Sequence, residues 1–233
     1  MNIAPPAPLA PWQLAHAPYA APEVFGQEAI ARIASALPLA ERVYASIRFS
    51  ILRPKLLSVM DLLLPDSGRI LDVGCGPGFM TSVMARGLGD AYGCDSSPEA
   101  LRFAAEYPEI HAVDSATLLA KQEERGTFDL MCFFDVIEHV ADDRGLIETF
   151  MGFLKPDGCI AIAVPAFMLF WGQNDVAAMH YRRYRGPQVD RLMRSMGFEP
   201  VRTTYFNTWL SPIFLAIRTW ERVTRKPAMR SDG

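Results

Sequence analysis

The chain has 233 residues, of which half are hydrophobic and 21% charged, so it can bury a full core and is not expected to be disordered. Its formal net charge of −3 gives no general electrostatic reason to bind nucleic acid, which leaves a small molecule as the expected partner. Four cysteines, Cys75, Cys94, Cys132 and Cys159, stand singly in apolar runs and read as reduced, buried thiols.

Residues 1–25 are rich in Ala and Pro, which resists regular structure and predicts an extended arm. The first basic residue is Arg32, so no targeting peptide is expected and the expected location is cytoplasmic. Three short helical patterns follow, over 27–36, 39–52 and 54–63, punctuated by Pro38 and Pro54, and they predict a helical cap over 26–66. No window approaches the roughly 20 uncharged apolar residues that span a bilayer.

From Arg69 the pattern changes to short apolar runs alternating with amphipathic segments: RILDVG, AYGCD, IHAVD, FDLMCFFD and CIAIAV. That alternation predicts an α/β fold, a Rossmann-like, mostly parallel sheet with helices on both faces, over a core of 67–210. Phe79, Met80, Val83 and Met84 share one helical face, and Leu146, Ile147, Phe150 and Leu154 share another. A further helix is predicted from Pro187 to Gly197, then a sixth strand over Glu199 to Phe206, then an apolar helix within 211–233.

The first strand runs into Asp72-Val73-Gly74-Cys75-Gly76-Pro77-Gly78. Dinucleotide folds place glycines as G-x-G-x-x-G, and this chain has Phe79 where the third would fall. A nicotinamide oxidoreductase is therefore disfavoured. An acid beside a glycine turn suits S-adenosylmethionine, whose methionine part carries an ammonium that Asp72 could accept directly or through water. Asp95 ends the second strand, where a carboxylate can take ribose hydroxyls, and Asp114-Ser115 end the third, placed for an adenine.

Taken in order, ILDVGCGPG, GCDSSPEAL, FDLMCFFDVIEHV and LKPDGCIAIAVP resemble the successive motifs of class I S-adenosylmethionine-dependent methyltransferases, particularly the small-molecule branch. The resemblance covers Arg69 to Phe206. It implies a cofactor site of Asp72, Gly74, Cys75, Gly76, Gly78, Asp95, Ser96, Asp114, Ser115 and Phe134, with S-adenosylhomocysteine as product and no metal. It also implies methyl transfer to a small, hydrophobic acceptor, most simply at oxygen. A non-catalytic S-adenosylmethionine-binding or scaffold protein is the alternative. Methylation of nucleic acid is disfavoured by the charge and by FFDVIEHV at the fourth strand's end.

An oxygen acceptor must lose a proton, and two histidines fall at the expected functional edge. His180 is the first candidate for general base and His139 the second. Trp171, Tyr181 and Arg183 are candidate substrate contacts, the arginines of this loop offering either a clamp for an anionic group or structural pairs with Asp175 and Asp190. The sequence shows no seventh strand. The face of Trp209, Ile213, Phe214, Ile217 and Trp220 is expected to pack within the chain, with a membrane surface or a second copy as alternatives.

Overall fold

The computed structural model describes residues 68–205, 208 and 211–224. The arm over 1–25, the helical cap, Phe206, Trp209 and the tail beyond 224 lie outside the described residues. The described chain runs β1 (Gly68–Val73), α1 (Phe79–Gly87), β2 (Gly89–Asp95), α2 (Pro98–Ala104), β3 (Ile110–Asp114), α3 (Ser115–Ala120), β4 (Phe128–Phe134), α4 (Asp143–Met151), β5 (Leu154–Ala163), α5 (Gln173–Ala177), α6 (Gly186–Ser195) and α7 (Ser211–Thr224).

The five strands form one parallel sheet in the order β3-β2-β1-β4-β5. A parallel sheet covered on both faces needs strands that are apolar on both faces, and β4 (FDLMCFF) meets that demand by alternation. Met131 and Phe133 enter the larger core cluster with Leu71, Val73, Ile147 and Phe150, while Leu130 and Cys132 enter the opposite one with Ile70 and Met84. The strand order reverses between β1 and β4, and ligands of such sheets lie outside the carboxyl ends of the strands at that reversal.

Two expectations are corrected. Leu154 does not continue the face of α4; it opens β5, paired with Phe128. No strand forms over 199–205. Its Val- and Thr-rich pattern suits a strand, but Pro200 has no N–H to give a ladder. The segment is tied to α6 by side chains instead: Thr203 Oγ1 donates to Asp190, and Tyr205 Oη accepts from the Gly186 amide at 2.7 Å. Tyr205 also stacks on Phe167 with ring centroids 4.8 Å apart. Helix α7 touches the body of the fold where the buried Arg218 donates to the Phe170 carbonyl at 3.1 Å, yet Ile213, Trp220 and Val223 stay exposed. Among the described residues no helix is long and apolar enough to cross a membrane.

Candidate active site

The turn after β1 is built by conformation. Gly74, Gly76 and Gly78 have φ of 72°, 55° and 83°, a left-handed region that strains other residues. Space is as tight as the dihedral at two of them: a Cβ on Gly74 would lie 2.7 Å from Val136, and one on Gly78 would lie 2.8 Å from Ala104. Gly76 differs, because a Cβ there would meet nothing within 4 Å. It forms the open side of the cradle. The turn is fastened to β2, with Gly74 and Cys75 amides donating to the Cys94 carbonyl at 2.8 and 3.0 Å.

Around it stand the acids. Asp72 shares the β1 face of Ile70, which points it at α1, and Thr81 Oγ1 donates to it at 2.6 Å. It is only 2% exposed. Burial lifts its pKa to about 7, the Thr81 hydrogen bond opposes this, and the nearby Asp95 charge adds to it. Asp95 accepts from the Gly76 amide at 2.9 Å and the Ser97 amide at 2.8 Å, so one carboxylate joins the glycine turn to the cap of α2. Asp114 lies beside it, paired in register across β2 and β3, and caps α3 through the Thr117 amide at 3.0 Å.

The sequence-predicted cofactor residues thus converge on the carboxyl edge of β1, β2 and β3, with Ser115 opening α3. Ser96 is exposed beside Asp95. Phe134, half-buried, closes β4. Cys75 is the exception in kind. Its buried side chain packs under Gly93, where an added Cβ would lie 2.9 Å from the thiol, so only its backbone can face a ligand. The open glycine cradle and the row of acids fit S-adenosylmethionine.

The second half of the site comes from the turns after β4 and β5. Asp135 leaves β4 with φ 53° and a 2.8 Å bond from its amide to the Ala163 carbonyl, setting Val136 against Gly74. One 3₁₀ turn, Ile137–His139, then buries Glu138 completely. From the β5 side, His180 meets His139 edge to face at 4.5 Å between ring centroids. The Tyr181 amide donates to the Glu138 carbonyl at 2.7 Å, which ties the two turns together.

Asp175 organises this half. It has no solvent exposure and accepts from Arg183 Nε at 2.7 Å, Arg183 Nη2 at 3.0 Å and the Gly172 amide at 2.8 Å. Its Oδ1 also lies 3.0 Å from His180 Nδ1. Burial alone would raise its pKa, but the hydrogen bonds from His180 and Arg183 prevail and hold it at about 2. An ionised carboxylate only accepts, so His180 Nδ1 is the donor to Asp175, which makes Nε2 the accepting nitrogen of the neutral ring.

Arg183, a candidate substrate contact, is engaged within the fold. Its guanidinium is spent on Asp175 and, at 3.2 Å, on the Ala166 carbonyl. Arg182 is likewise spent, on Asp143 at 2.9 Å and the Val140 carbonyl. Of the two structural pairs the sequence suggested, Asp175 holds its arginine, whereas Asp190 accepts from Thr203. Trp171 is half-buried and Tyr181 is 59% exposed at the mouth of this half. Sequence reasoning missed Glu138 and Thr81; the only available signal for the first was an acid immediately before His139 at a strand end.

A family model described as a methyltransferase domain matches residues 44–203. The chain belongs to that methyltransferase family. With the parallel α/β sheet above, it is a class I S-adenosylmethionine-dependent methyltransferase. Among curated proteins it is 26% identical to a ubiquinone biosynthesis O-methyltransferase of Xanthomonas axonopodis pv. citri, a match covering 67% of this chain and 74% of the relative. A protein of the same name from Chelativorans sp. is 36% identical over 41% of this chain and 39% of its own length. Several of these matches thus span only about two fifths of the relatives.

Among solved structures, a Haemonchus contortus phosphoethanolamine N-methyltransferase 2 in complex with S-adenosyl-L-methionine is similar in fold, with TM-score 0.57 and 19% identity. That likeness covers 73% of this methyltransferase and 43% of the other chain. A Haloferax volcanii putative methyltransferase complex with the Trm112 activator gives TM-score 0.53 at 17% identity, covering 64% of this chain and 68% of that one.

Proposed function

We propose that this methyltransferase methylates oxygen on a small, hydrophobic acceptor seated between the turns after β4 and β5, with S-adenosylhomocysteine as the other product. The observation that carries the reading is the Asp175–His180 pair, an imidazole whose Nδ1 is held at 3.0 Å by a buried carboxylate. Nitrogen nucleophiles that are neutral at working pH need little help, whereas a hydroxyl gains from a positioned base. The printed name of the curated relatives, O-methyltransferase, supports the same choice.

When bound, S-adenosylmethionine supplies a methyl group already activated by its sulfonium. Gly74, Gly76 and Gly78 with Asp72 would hold its methionine end, Asp95 the ribose, and Asp114 with Ser115 the adenine. The chain's own task is alignment and proton removal. His180 Nε2 takes the acceptor's proton, and Asp175 stabilises the resulting imidazolium, its own ionisation secured by Arg183. Trp171 and Tyr181 supply an apolar wall. His139 packs the base into place.

The test is transfer of labelled methyl from S-adenosylmethionine to matched panels of phenols and amines. Phenol methylation is expected, with His180→Ala slowing turnover roughly 10²-fold or more while cofactor affinity stays unchanged. Exclusive amine methylation, or a His180→Ala variant that turns over normally, would overturn the proposal.

A further inference from the structure

We infer that Asp143 is a positioning residue for the reaction: by holding Arg182 and Tyr184 it sets the register of the loop after β5, so that Arg183 meets Asp175 and Asp175 meets His180. The inference rests on the proposed function for its effect on rate, and on geometry alone for its effect on the His180 ring. Asp143 opens α4, far in sequence from the loop it holds. One of its carboxylate oxygens, Oδ2, accepts from Arg182 Nη1 at 2.9 Å and from the Tyr184 hydroxyl at 2.7 Å.

The residue between those two turns the other way. Arg183 places Nε on one Asp175 oxygen at 2.7 Å and Nη2 on the other at 3.0 Å. Successive side chains of an extended chain point to opposite sides, and the contacts of residues 182, 183 and 184 follow that alternation. The backbone agrees with it: Tyr184 donates its amide to the Pro165 carbonyl at 2.9 Å and its carbonyl accepts from the Phe167 amide at 2.8 Å, a parallel bridge to Ala166. Arginines stand at 182, 183 and 185, so the loop itself does not say which of them Asp175 should take. A slip of one residue would present Arg182 to Asp175 and turn Arg183 away, since such a shift reverses every side chain of an extended segment.

Asp143 opposes that slip twice. Its charge claims Arg182, whose Nη2 is held further by the Val140 and Ala141 carbonyls at 3.1 and 2.5 Å. It also takes the hydroxyl of Tyr184, a buried side chain whose pKa is raised by burial and by the Asp143 carboxylate, which keeps that hydroxyl a donor. With the register fixed, Arg183 secures Asp175 as a carboxylate, and Asp175 receives His180 Nδ1 at 3.0 Å. A two-pronged arginine–carboxylate pair demands close alignment, so a loop out of register loses the pair rather than bending it.

The experiment compares the wild-type full chain with Asp143→Asn, which keeps the side chain's size and removes its charge, and with Tyr184→Phe, which removes one hydroxyl. Nitrogen-15 NMR of the histidine rings reads the tautomer in the resting protein, the His180 signal being identified by its absence in His180→Ala. Wild type should carry the His180 proton on Nδ1, and both variants should shift part of the population to Nε2. Methyl transfer to the phenol that wild type methylates best should fall roughly 10–10²-fold in kcat, while S-adenosylmethionine affinity stays within about twofold. If Asp143→Asn fails to fold, Tyr184→Phe decides alone. Where His180→Ala is slow, a wild-type kcat or an unaltered tautomer in the variants overturns the inference. A loss of S-adenosylmethionine affinity equal to the loss of kcat overturns it too, because Asp143 would then be general support. If His180→Ala turns over normally the proposed function falls, and the tautomer decides the register claim by itself.

Discussion

The two halves of the site reach unusual backbone conformations by opposite means. On the cofactor side the left-handed positions are glycines, Gly74, Gly76 and Gly78, which adopt them without strain. On the acceptor side they are Asp135, Phe167 and Met179, with φ of 53°, 58° and 55°. All three flank the turns that bring Glu138, His139 and His180 together. Non-glycine residues in this region cost about 1–3 kcal/mol each and persist only where the surroundings impose them. The cofactor half is thus relaxed and local, and the acceptor half is held under strain by long-range bonds centred on Asp175.

The largest expected effect lies in the relaxed half. In Gly78→Ala the new Cβ would lie 2.8 Å from Ala104 Cβ and 2.9 Å from Ile110 Cδ1, on top of the unfavourable φ. Overpacking and handedness together should destabilise by about 2–5 kcal/mol, read as a lower denaturant midpoint and lost cofactor binding. Gly76→Ala carries only the dihedral term, about 1–2 kcal/mol. Equal effects at the two positions would break the distinction drawn between tight and open sides of the cradle.

Asp72 supplies the next test. Its pKa is raised to about 7 in the folded chain, so the folded state holds the proton more tightly than the unfolded state. Stability is therefore full below about pH 4 and falls as pH rises toward 7. Asp72→Asn should leave stability unchanged at pH 4 and raise the thermal midpoint by a few degrees, roughly 2–4 °C per kcal/mol for this size, at pH 8. Its cofactor affinity should fall, because the acceptor for the ammonium is gone. Conversely, a bound cation lowers the Asp72 pKa, so cofactor binding near pH 7 should release protons, measurable by calorimetry in buffers of different ionisation enthalpy.

The smallest effect belongs to the strained half. Met179 is exposed and left-handed, so Met179→Gly should stabilise by about 1 kcal/mol. Turnover should fall modestly as His180 loses its fixed approach. A destabilised Met179→Gly variant would show that the strain assigned to this half is not stored there.

The same contrast explains what the sequence disclosed. The cofactor half is a contiguous motif at a strand end, and the five strands follow from apolar runs of the right length, so both were legible. Asp72, Asp95 and Asp114 were found because each ends or nearly ends a strand. The acceptor half joins residues 138 to 183 through hydrogen bonds that no spacing rule encodes. For the loop arginines the sequence offered both a clamp and a pair with Asp175, and only the folded chain shows that Arg183 takes the pair. The segment over 199–205 looked like a strand because Val201, Thr203 and Tyr205 alternate. The side-chain bonds of Thr203 and Tyr205 to α6 decided otherwise, and they are tertiary facts.

The central claim, that the glycine cradle and its row of acids hold S-adenosylmethionine, is tested most directly by calorimetric titration of the full chain with that cofactor and, separately, with NADH. The account predicts one site for S-adenosylmethionine, none for NADH, and at least tenfold weaker binding by Asp95→Ala. Folded wild-type protein that fails to bind S-adenosylmethionine, or that binds NADH in its place, would contradict it.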